Sequence, residues 1–479
     1  MTETPQNASP RRMIWQLAWP QTLMMFFHFW IGFVDVYVAG QLNERVQASL
    51  GLITQTLFFF LIVAMAVANG AVAAISQSLG AGKTRRAMRY VSLCLGLILL
   101  AGLVLSVTGF GVKGLLLDLL QVPPDIRPLT DYFLQVYLLL LPLYYLFIVA
   151  NAVFRSQKQV YIPLLSMVLA TLANTLGDFG LCFGLWGLPE LGFKGLPWAT
   201  VLSIASGLLF DAFFLARYGW LKLGTFPPLR WIRKGLPYLW RVAWPAGLMQ
   251  VLWHTAYLVL FSITASLPTG NVSALAALAA GLRLESILFL PAVAFNMTAS
   301  ILVGHALGQR DFPQAKRLGL KIWGSGCALI TIMGAILWLA APGLSEVLSD
   351  KPAVQAEIVN YLHFNIAAIP FTGTSLIIGG VFIGAGATRY NMLAIGVTIW
   401  LIRLPLAYIL GHLLLGQATG IWAAMLVSQL IQATVMLVLF FHKDWSRFSM
   451  LAKKDLKKPQ GVTHASQLPT SVPGRSNQV

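Results

Sequence analysis

Charged side chains are scarce in this sequence. Only 10% of its 479 residues are Asp, Glu, Lys or Arg, and its mean hydropathy is +0.74. Since soluble domains carry about 25% charged residues, this composition excludes an ordinary soluble protein. The apolar runs are about 20 to 30 residues long, enough for helices that cross roughly 30 Å of hydrocarbon, and they lack the alternation of membrane β-strands. The sequence therefore predicts an all-α polytopic membrane protein.

Cysteines and catalytic motifs are also nearly absent. The three cysteines, Cys94, Cys182 and Cys327, lie inside apolar runs and form no CxxC pair, so we expect buried thiols rather than disulfides or metal ligands. The chain contains no HExxH or GxSxG motif and no paired ligands at catalytic spacing. We therefore expect no metal, no cofactor and no enzyme activity.

The hydropathy pattern predicts twelve membrane-spanning helices in two halves. Residues 13–217 would form the first half and 240–441 the second, joined by a basic linker at 218–239. A tail at 1–12 would precede them, and a largely disordered tail would occupy 442–479. The predicted helices lie at 13–39, 47–78, 90–112, 130–153, 161–183, 195–217, 240–266, 273–304, 317–341, 354–384, 391–412 and 420–441.

Lysine and arginine are distributed unevenly between the two sides of this arrangement. If both termini lie on one side, 26 of the 33 Lys and Arg residues face that side and five face the other, whereas Arg283 and Arg403 lie inside helices. The positive-inside rule then places both termini in the cytoplasm. The net charge of +17 thus reflects the basic residues that set the topology and that can contact anionic lipids. It does not indicate a surface for binding nucleic acid.

An internal repeat divides the chain into two copies. WQLAWP at 15–20 recurs as WRVAWP at 240–245, and LGAGKTRRA at 79–87 corresponds to LGQRDFPQA at 307–315. The second offset, 228, exceeds the first, 225, because the second copy has a slightly longer loop. Two parallel copies predict two pseudo-symmetric six-helix lobes with a substrate site between them, which is a transporter architecture, and we expect a monomer.

Two carboxylates are predicted at matching depth in the first lobe. Asp35 lies about four residues from the non-cytoplasmic end of helix one, and Asp178 lies about five from the same end of helix five. Met167, Thr171, Asn174 and Asp178 step by 4, 3 and 4 residues, which places them on one helical face. Because two carboxylates in one low-dielectric pocket cannot both ionise cheaply, the pair is a candidate cation site. Alternatively, Asp178 caps its helix or pairs with Lys194.

The second lobe carries a different set of charges. Arg283 and Glu285 lie near the middle of helix eight, and Arg403 lies at a similar depth in helix eleven. An ion pair between helices eight and eleven could be a structural lock, or Glu285 could contact a cationic substrate. Asp211, towards the cytoplasmic end of helix six, is expected to meet an arginine on that side.

The chain resembles the multidrug and toxic compound extrusion (MATE) transporters over about residues 12–445. The resemblance rests on the two WxxAWP entries, on Asp35, and on the LGAG and LGQ turns after helices two and eight. FRSQKQVYIP at 154–163 and FIGAGATRYN at 382–391 complete it. It implies a secondary-active exporter in the cytoplasmic membrane of a bacterium, which moves organic cations or amphipathic aromatic drugs outward against H⁺ or, less favoured, Na⁺. The alternative is a flippase of lipid-linked saccharides from the same superfamily.

The resemblance also implies roles for residues of the first lobe. In the DinF-like branch, the cation-coupling group corresponds to Asp35, Asn174 and Asp178, and Thr200 is our candidate for its helix-six threonine. The positions implied to line the substrate cavity are Asn151, Met167 and Thr171, to which our own reading adds Glu285. The NorM-like branch has a helix-seven Glu and a helix-ten Asp, but this chain has no acid in either place. The repeat supplies one more prediction, because Pro20 and Pro245 lie at equivalent places and are candidate hinges.

Overall fold

The computed structural model describes residues 9–221 and 226–450. Within those residues, twelve helices are long and apolar enough to cross a membrane, which confirms the predicted all-α polytopic fold. They are α1 (Pro10–Leu42), α2 (Glu44–Gly80), α3 (Thr84–Leu119), α4 (Arg127–Ser156), α5 (Tyr161–Phe183), α6 (Gly195–Arg217), α7 (Leu229–Ala265), α8 (Asn271–Gly308), α9 (Phe312–Leu348), α10 (Pro352–Ala385), α11 (Thr388–Leu414) and α12 (Ala418–His442). Most of the two predicted tails, at 1–8 and 451–479, lies outside the described residues.

The basic segment before α7 is helical where the sequence predicted a linker. α7 begins at Leu229, so residues 229–239 of the segment predicted as a linker are helical and continuous with α7. The extension is amphipathic: Trp231 packs edge-on against Tyr90, with 4.9 Å between ring centroids, and Arg89 lies over the Trp231 ring. Such a segment can lie at a membrane surface because its aromatic face is packed while its basic side chains reach water.

Helix α11 is irregular at two places. Residues Thr398–Arg403 and Ile409–Leu414 are π-helical and flank Pro405. Proline lacks the backbone N–H that an α-helix needs, and π-turns accommodate such interruptions, often at functional sites. The second lobe's counterpart of α5 is therefore distorted where Arg403 is placed.

Helix α1 packs on both lobes. Near its start, Ile14, Leu17 and Ala18 belong to an apolar core built mainly from α8, α9, α10 and α12. Beyond Pro20, residues such as Val34 belong to the core of the first lobe instead. The predicted hinge Pro20 thus lies at the point where α1 passes from one lobe to the other.

Helix α7 crosses in the opposite sense. Leu239 packs into the core of the first lobe, whereas Ala256 and Leu260 lie in a core of the second. Pro245, buried inside α7, lies between these two parts. Each lobe therefore holds the beginning of the other lobe's first helix, and each proline is at a crossover. The hinge role of both prolines stays a prediction.

Candidate functional site in the first lobe

The polar centre of the first lobe lies between α1 and α5. Asn174 Nδ2 donates a hydrogen bond to Asp35 Oδ1 at 3.1 Å. Asn174 and Asp178 are fully buried, and Asp35 is half-buried. The two carboxyl groups lie within hydrogen-bonding reach of each other. The predicted proximity of these side chains is therefore observed, and their role in cation coupling stays a prediction.

Asp178 receives no hydrogen bond from a donor among the described residues. Both of its side-chain oxygens are buried. Two carboxylates offer only acceptors, so a bond between Asp35 and Asp178 requires that one of them carry a proton. Because buried polar groups are normally paired, the arrangement favours a site that holds one proton between two carboxyl groups.

A tyrosine that the sequence analysis missed faces this pair. Tyr137 of α4 is buried, interacts electrostatically with both Asp35 and Asp178, and lies within hydrogen-bonding reach of Thr200. Thr200 itself donates to the carbonyl of Leu196 at 3.2 Å. A signal for Tyr137 did exist in the sequence, because Tyr137, Tyr144 and Asn151 recur every seven residues and so share one face of α4.

The remaining residues of the polar face of α5 hold that helix against α1. Thr171 donates to the Met167 carbonyl at 2.8 Å, and its hydroxyl also reaches the carbonyl of Phe27 on α1 at 3.4 Å. Met167 lies in the apolar core of the lobe. Lys194 forms no salt bridge among the described residues and lies over the ring of Tyr132, so the alternative of an Asp178–Lys194 pair is wrong.

Asp211 has a different partner from the one expected. It is fully buried on α6 and accepts a hydrogen bond from Asn151 Nδ2 at 3.2 Å. No arginine is within salt-bridge distance of it in the described residues. The expectation of an arginine partner failed because depth within a helix does not specify the side that a residue faces. Asn151, expected to line the substrate cavity, therefore joins α4 to α6.

Among the described residues of the second lobe there is no equivalent carboxyl pair. Leu260, which the repeat aligns with Asp35, is buried in an apolar core. Glu285 is buried and accepts from the Tyr361 hydroxyl at 3.0 Å, and Arg403 Nε donates to Ser428 Oγ at 2.9 Å.

The predicted ion pair among the charges of the second lobe is not formed as a direct contact. Within the described residues no salt bridge involves Arg283, Glu285 or Arg403. Arg283 is exposed, since residues two apart on a helix point to different sides. Arg403 interacts with Glu285 only electrostatically, and both of its Nη atoms are buried without a hydrogen-bond partner in the part of the chain that the structure describes.

Glu285 is expected to stabilise the second lobe. Replacing Glu285 with Leu would leave the buried Tyr361 hydroxyl without its acceptor. We expect Glu285→Leu to lower the free energy of unfolding by about 1–3 kcal/mol, as for a buried donor left without its partner, and Glu285→Gln to cost much less. Thermal unfolding of the purified variants measures this. A normal unfolding temperature combined with weakened dye binding would instead identify Glu285 as a substrate contact.

The two lobes are joined by hydrogen bonds at one end of the molecule, which we call the basic end because the Lys- and Arg-rich connections emerge there. Gln21 Nε2 donates to Thr298 Oγ1 at 2.9 Å, and Gln77 Nε2 donates to the Gly384 carbonyl at 2.7 Å. His305 Nε2 lies 2.8 Å from the Ser156 carbonyl oxygen. The cleft between the lobes is therefore closed at this end.

Backbone contacts without intervening side chains tighten this closure. A side chain at Gly80 would overlap the carbonyl group of His305 on α8, and one at Gly308 would overlap the carbonyl of Gln77 on α2. Glycine at both positions lets α2 and α8 approach each other more closely than any other residue would. The closure depends on these two residues as much as on its hydrogen bonds.

A family model described as MatE matches residues 20–179 and 245–409. These segments are corresponding parts of the two lobes, in agreement with the repeat. A probable multidrug resistance protein NorM from Thermotoga maritima is 23% identical over 464 residues, which cover 94% of this chain and 96% of that protein. A protein with the same name from Bradyrhizobium diazoefficiens is 28% identical over 458 residues, covering 92% and 93%.

The fold is also similar to solved structures. One is described as the outward-facing conformation of a multidrug resistance MATE family transporter of the MOP superfamily. It matches with a TM-score of 0.83 at 20% identity, and the match covers 90% of this chain and 95% of that one. At this identity the likeness concerns the fold.

Proposed function

Because the chain belongs to the MatE family, the multidrug and toxic compound extrusion transporters, we propose that it is a secondary-active multidrug exporter. Its substrates are organic cations or amphipathic aromatic drugs, and it exchanges them for inward-moving H⁺, with Na⁺ as the second candidate ion. The names of the NorM relatives support the drug-export part of the proposal. The carboxyl pair Asp35–Asp178 supports the proton part.

The observation that carries this proposal is the missing donor between the buried Asp178 and the half-buried Asp35. One proton satisfies the pair, and its loss leaves a second negative charge in a low-dielectric site. The lobe then favours an arrangement in which that charge is balanced, and a bound organic cation supplies the balance. Proton and drug thus stabilise different states of the lobe and lower each other's affinity, which is a reciprocal coupling.

Alternating access would use the crossed helices. We take the basic end as the cytoplasmic end, following the positive-inside rule, so the closure there bars access from the cytoplasm. Reopening it requires that the beginnings of α1 and α7 separate from the lobe on which each one packs. Bending at Pro20 and Pro245 would permit this while the rest of each lobe stays intact.

The location and partners follow from the same proposal. The protein would act as a monomer in the inner membrane of a bacterium, with both termini in the cytoplasm and its basic end against anionic lipids. Its transported partner is a small drug-like molecule, and the mechanism needs no cofactor.

Dye efflux from cells tests the proposal. In a host without its own exporters, we expect the protein to lower accumulation of a fluorescent aromatic cation. A protonophore should abolish this effect, and collapse of the Na⁺ gradient alone should not. If neither gradient drives dye movement, while purified protein in liposomes moves a lipid-linked saccharide between leaflets, the molecule is a flippase.

A further inference from the structure

A second buried carboxyl group lies in the half of the first lobe next to the basic end. Asp211 is six residues from the end of α6, and Ser166 of α5 lies within hydrogen-bonding reach of its carboxyl group. Ser166 and Asp178 are twelve residues apart on α5, which corresponds to about 18 Å at 1.5 Å per residue. The first lobe therefore holds two separate carboxyl sites at different depths.

Acceptors outnumber donors around Asp211. Its Oδ1 and the Oδ1 of Asn151 are both buried without a hydrogen-bond partner in the described residues. The amide of Asn151 is already used, because Nδ2 donates to the Phe147 carbonyl and to Asp211 Oδ2. The hydroxyl of Ser166 lies 3.1 Å from the Pro163 carbonyl and also close to Asp211, and its single hydrogen can satisfy only one of these acceptors. A proton on Asp211 supplies the missing donor.

No cation compensates a negative charge on Asp211. α4 and α5 are the helices packed against this part of α6. The Arg155 guanidinium of α4 donates to Met297 Sδ, Asp178 of α5 is itself an acid, and Arg217 lies beyond on the exposed end of α6. None of them forms a salt bridge with Asp211 in the described residues. An ionised carboxylate here would be an uncompensated buried charge, which is strongly unfavourable.

Polar side chains of α4 lie at intervals between the two carboxyl sites, about 10.5 Å apart along the helix at 1.5 Å per residue. On α4, Tyr137 faces the Asp35–Asp178 pair, Tyr144 interacts electrostatically with Asp35, and Asn151 bonds Asp211. These three residues share one helical face at seven-residue spacing. Chains of polar groups of this kind inside membrane helices carry proton relays.

We propose that Asp211 is a second proton-binding site, which releases its proton to water when the basic end opens and is then reloaded with the coupling proton from the Asp35–Asp178 pair. The O–H bond at Asp211 Oδ1 breaks as the proton leaves to solvent, and a new O–H bond forms there as the O–H bond at the pair breaks, with no change in oxidation state. The inference rests on the proposed exporter function. The inference adds a proton-release site to that function and assigns Asn151 as the residue that positions the Asp211 carboxyl.

Infrared difference spectroscopy of the purified protein tests whether Asp211 carries a proton. At neutral pH, we expect Asp211→Asn to lose a carbonyl band of a protonated carboxylic acid that the wild type shows. The control Asp118→Asn, which removes an exposed acid of the same lobe, should keep that band. Asn151→Ala, which retains the acid and removes its donor, should shift the band. Absence of the band from the wild type, or its loss on addition of Na⁺ at constant pH, would overturn the proposal.

Transport assays test the relay. We expect Asp211→Asn to bind the dye and to exchange external for internal dye, which needs no net proton movement, yet to lose proton-driven efflux. Equal loss of exchange and efflux would show a structural role, and undiminished efflux would exclude a relay. Failure of the exporter function is recognised separately, because wild type would then show no proton-driven efflux at all.

Discussion

Asp178→Asn is expected to reduce proton-driven dye efflux to the level of cells without the protein. Asp178 is fully buried, and the described residues offer it no donor other than a proton held with Asp35. The amide of asparagine supplies its own donor to Asp35, so the pair no longer needs the proton. Without a proton to release and rebind, the drug cycle loses its connection to the gradient.

The same reasoning predicts how variants of the pair combine. The two carboxyl groups share a single proton. Asp35→Asn and the double variant should therefore be no more defective than Asp178→Asn alone, whereas independent sites would give additive losses. The control is Asp118→Asn, which removes an exposed carboxylate that forms a salt bridge with Arg127 at 2.6 Å. This variant should export normally. Substantial efflux by a well-expressed Asp178→Asn protein would refute the shared-proton site.

Gly80→Leu is expected to abolish efflux by a different route. A leucine at Gly80 would overlap the backbone of His305, and backbone cannot rotate out of the way as a side chain can. Overpacking of this kind costs about 1–3 kcal/mol, which shifts a two-state equilibrium by roughly 5–150-fold. The cleft should therefore stay open at the basic end.

A cysteine at the closed interface reports this change. Ser76 is fully buried and lies against Gly304 of the second lobe. With Cys94, Cys182 and Cys327 replaced by Ala, a Ser76→Cys thiol should be protected from an impermeant reagent applied to the basic side. Adding Gly80→Leu should expose it. Gly51→Leu, on the same helix but with open space around the glycine, should export normally and leave the thiol protected. Protection of the thiol in the Gly80→Leu protein would contradict the closure.

Depth along a helix and the repeat predicted much of the candidate site. They gave the twelve helices, the two lobes and the proximity of Asp35, Asn174 and Asp178, because helical spacing fixes which residues share a face. They also predicted that the second lobe has no acid at the position equivalent to Asp35, since the repeat aligns Leu260 with it. These properties are local or periodic, and a single sequence records them directly.

What the sequence did not reveal depends on packing between helices. Tyr137 was missed because a tyrosine in an apolar run is read as an ordinary core or lipid-facing residue. The partner of Asp211 was wrong because the rotation of α6 relative to α4 is not encoded in depth. The closure through Gly80 and Gly308 involves the two lobes in one conformation, and the same sequence must also adopt others.

The most direct test of the account measures protons released when the drug binds. Purified wild-type protein in weakly buffered detergent should release protons on addition of a cationic dye, because drug and proton lower each other's affinity. Asp35→Asn should bind the dye and release none. Equal proton release by wild type and Asp35→Asn, at equal dye binding, would contradict the claim that this carboxyl pair couples the proton to export.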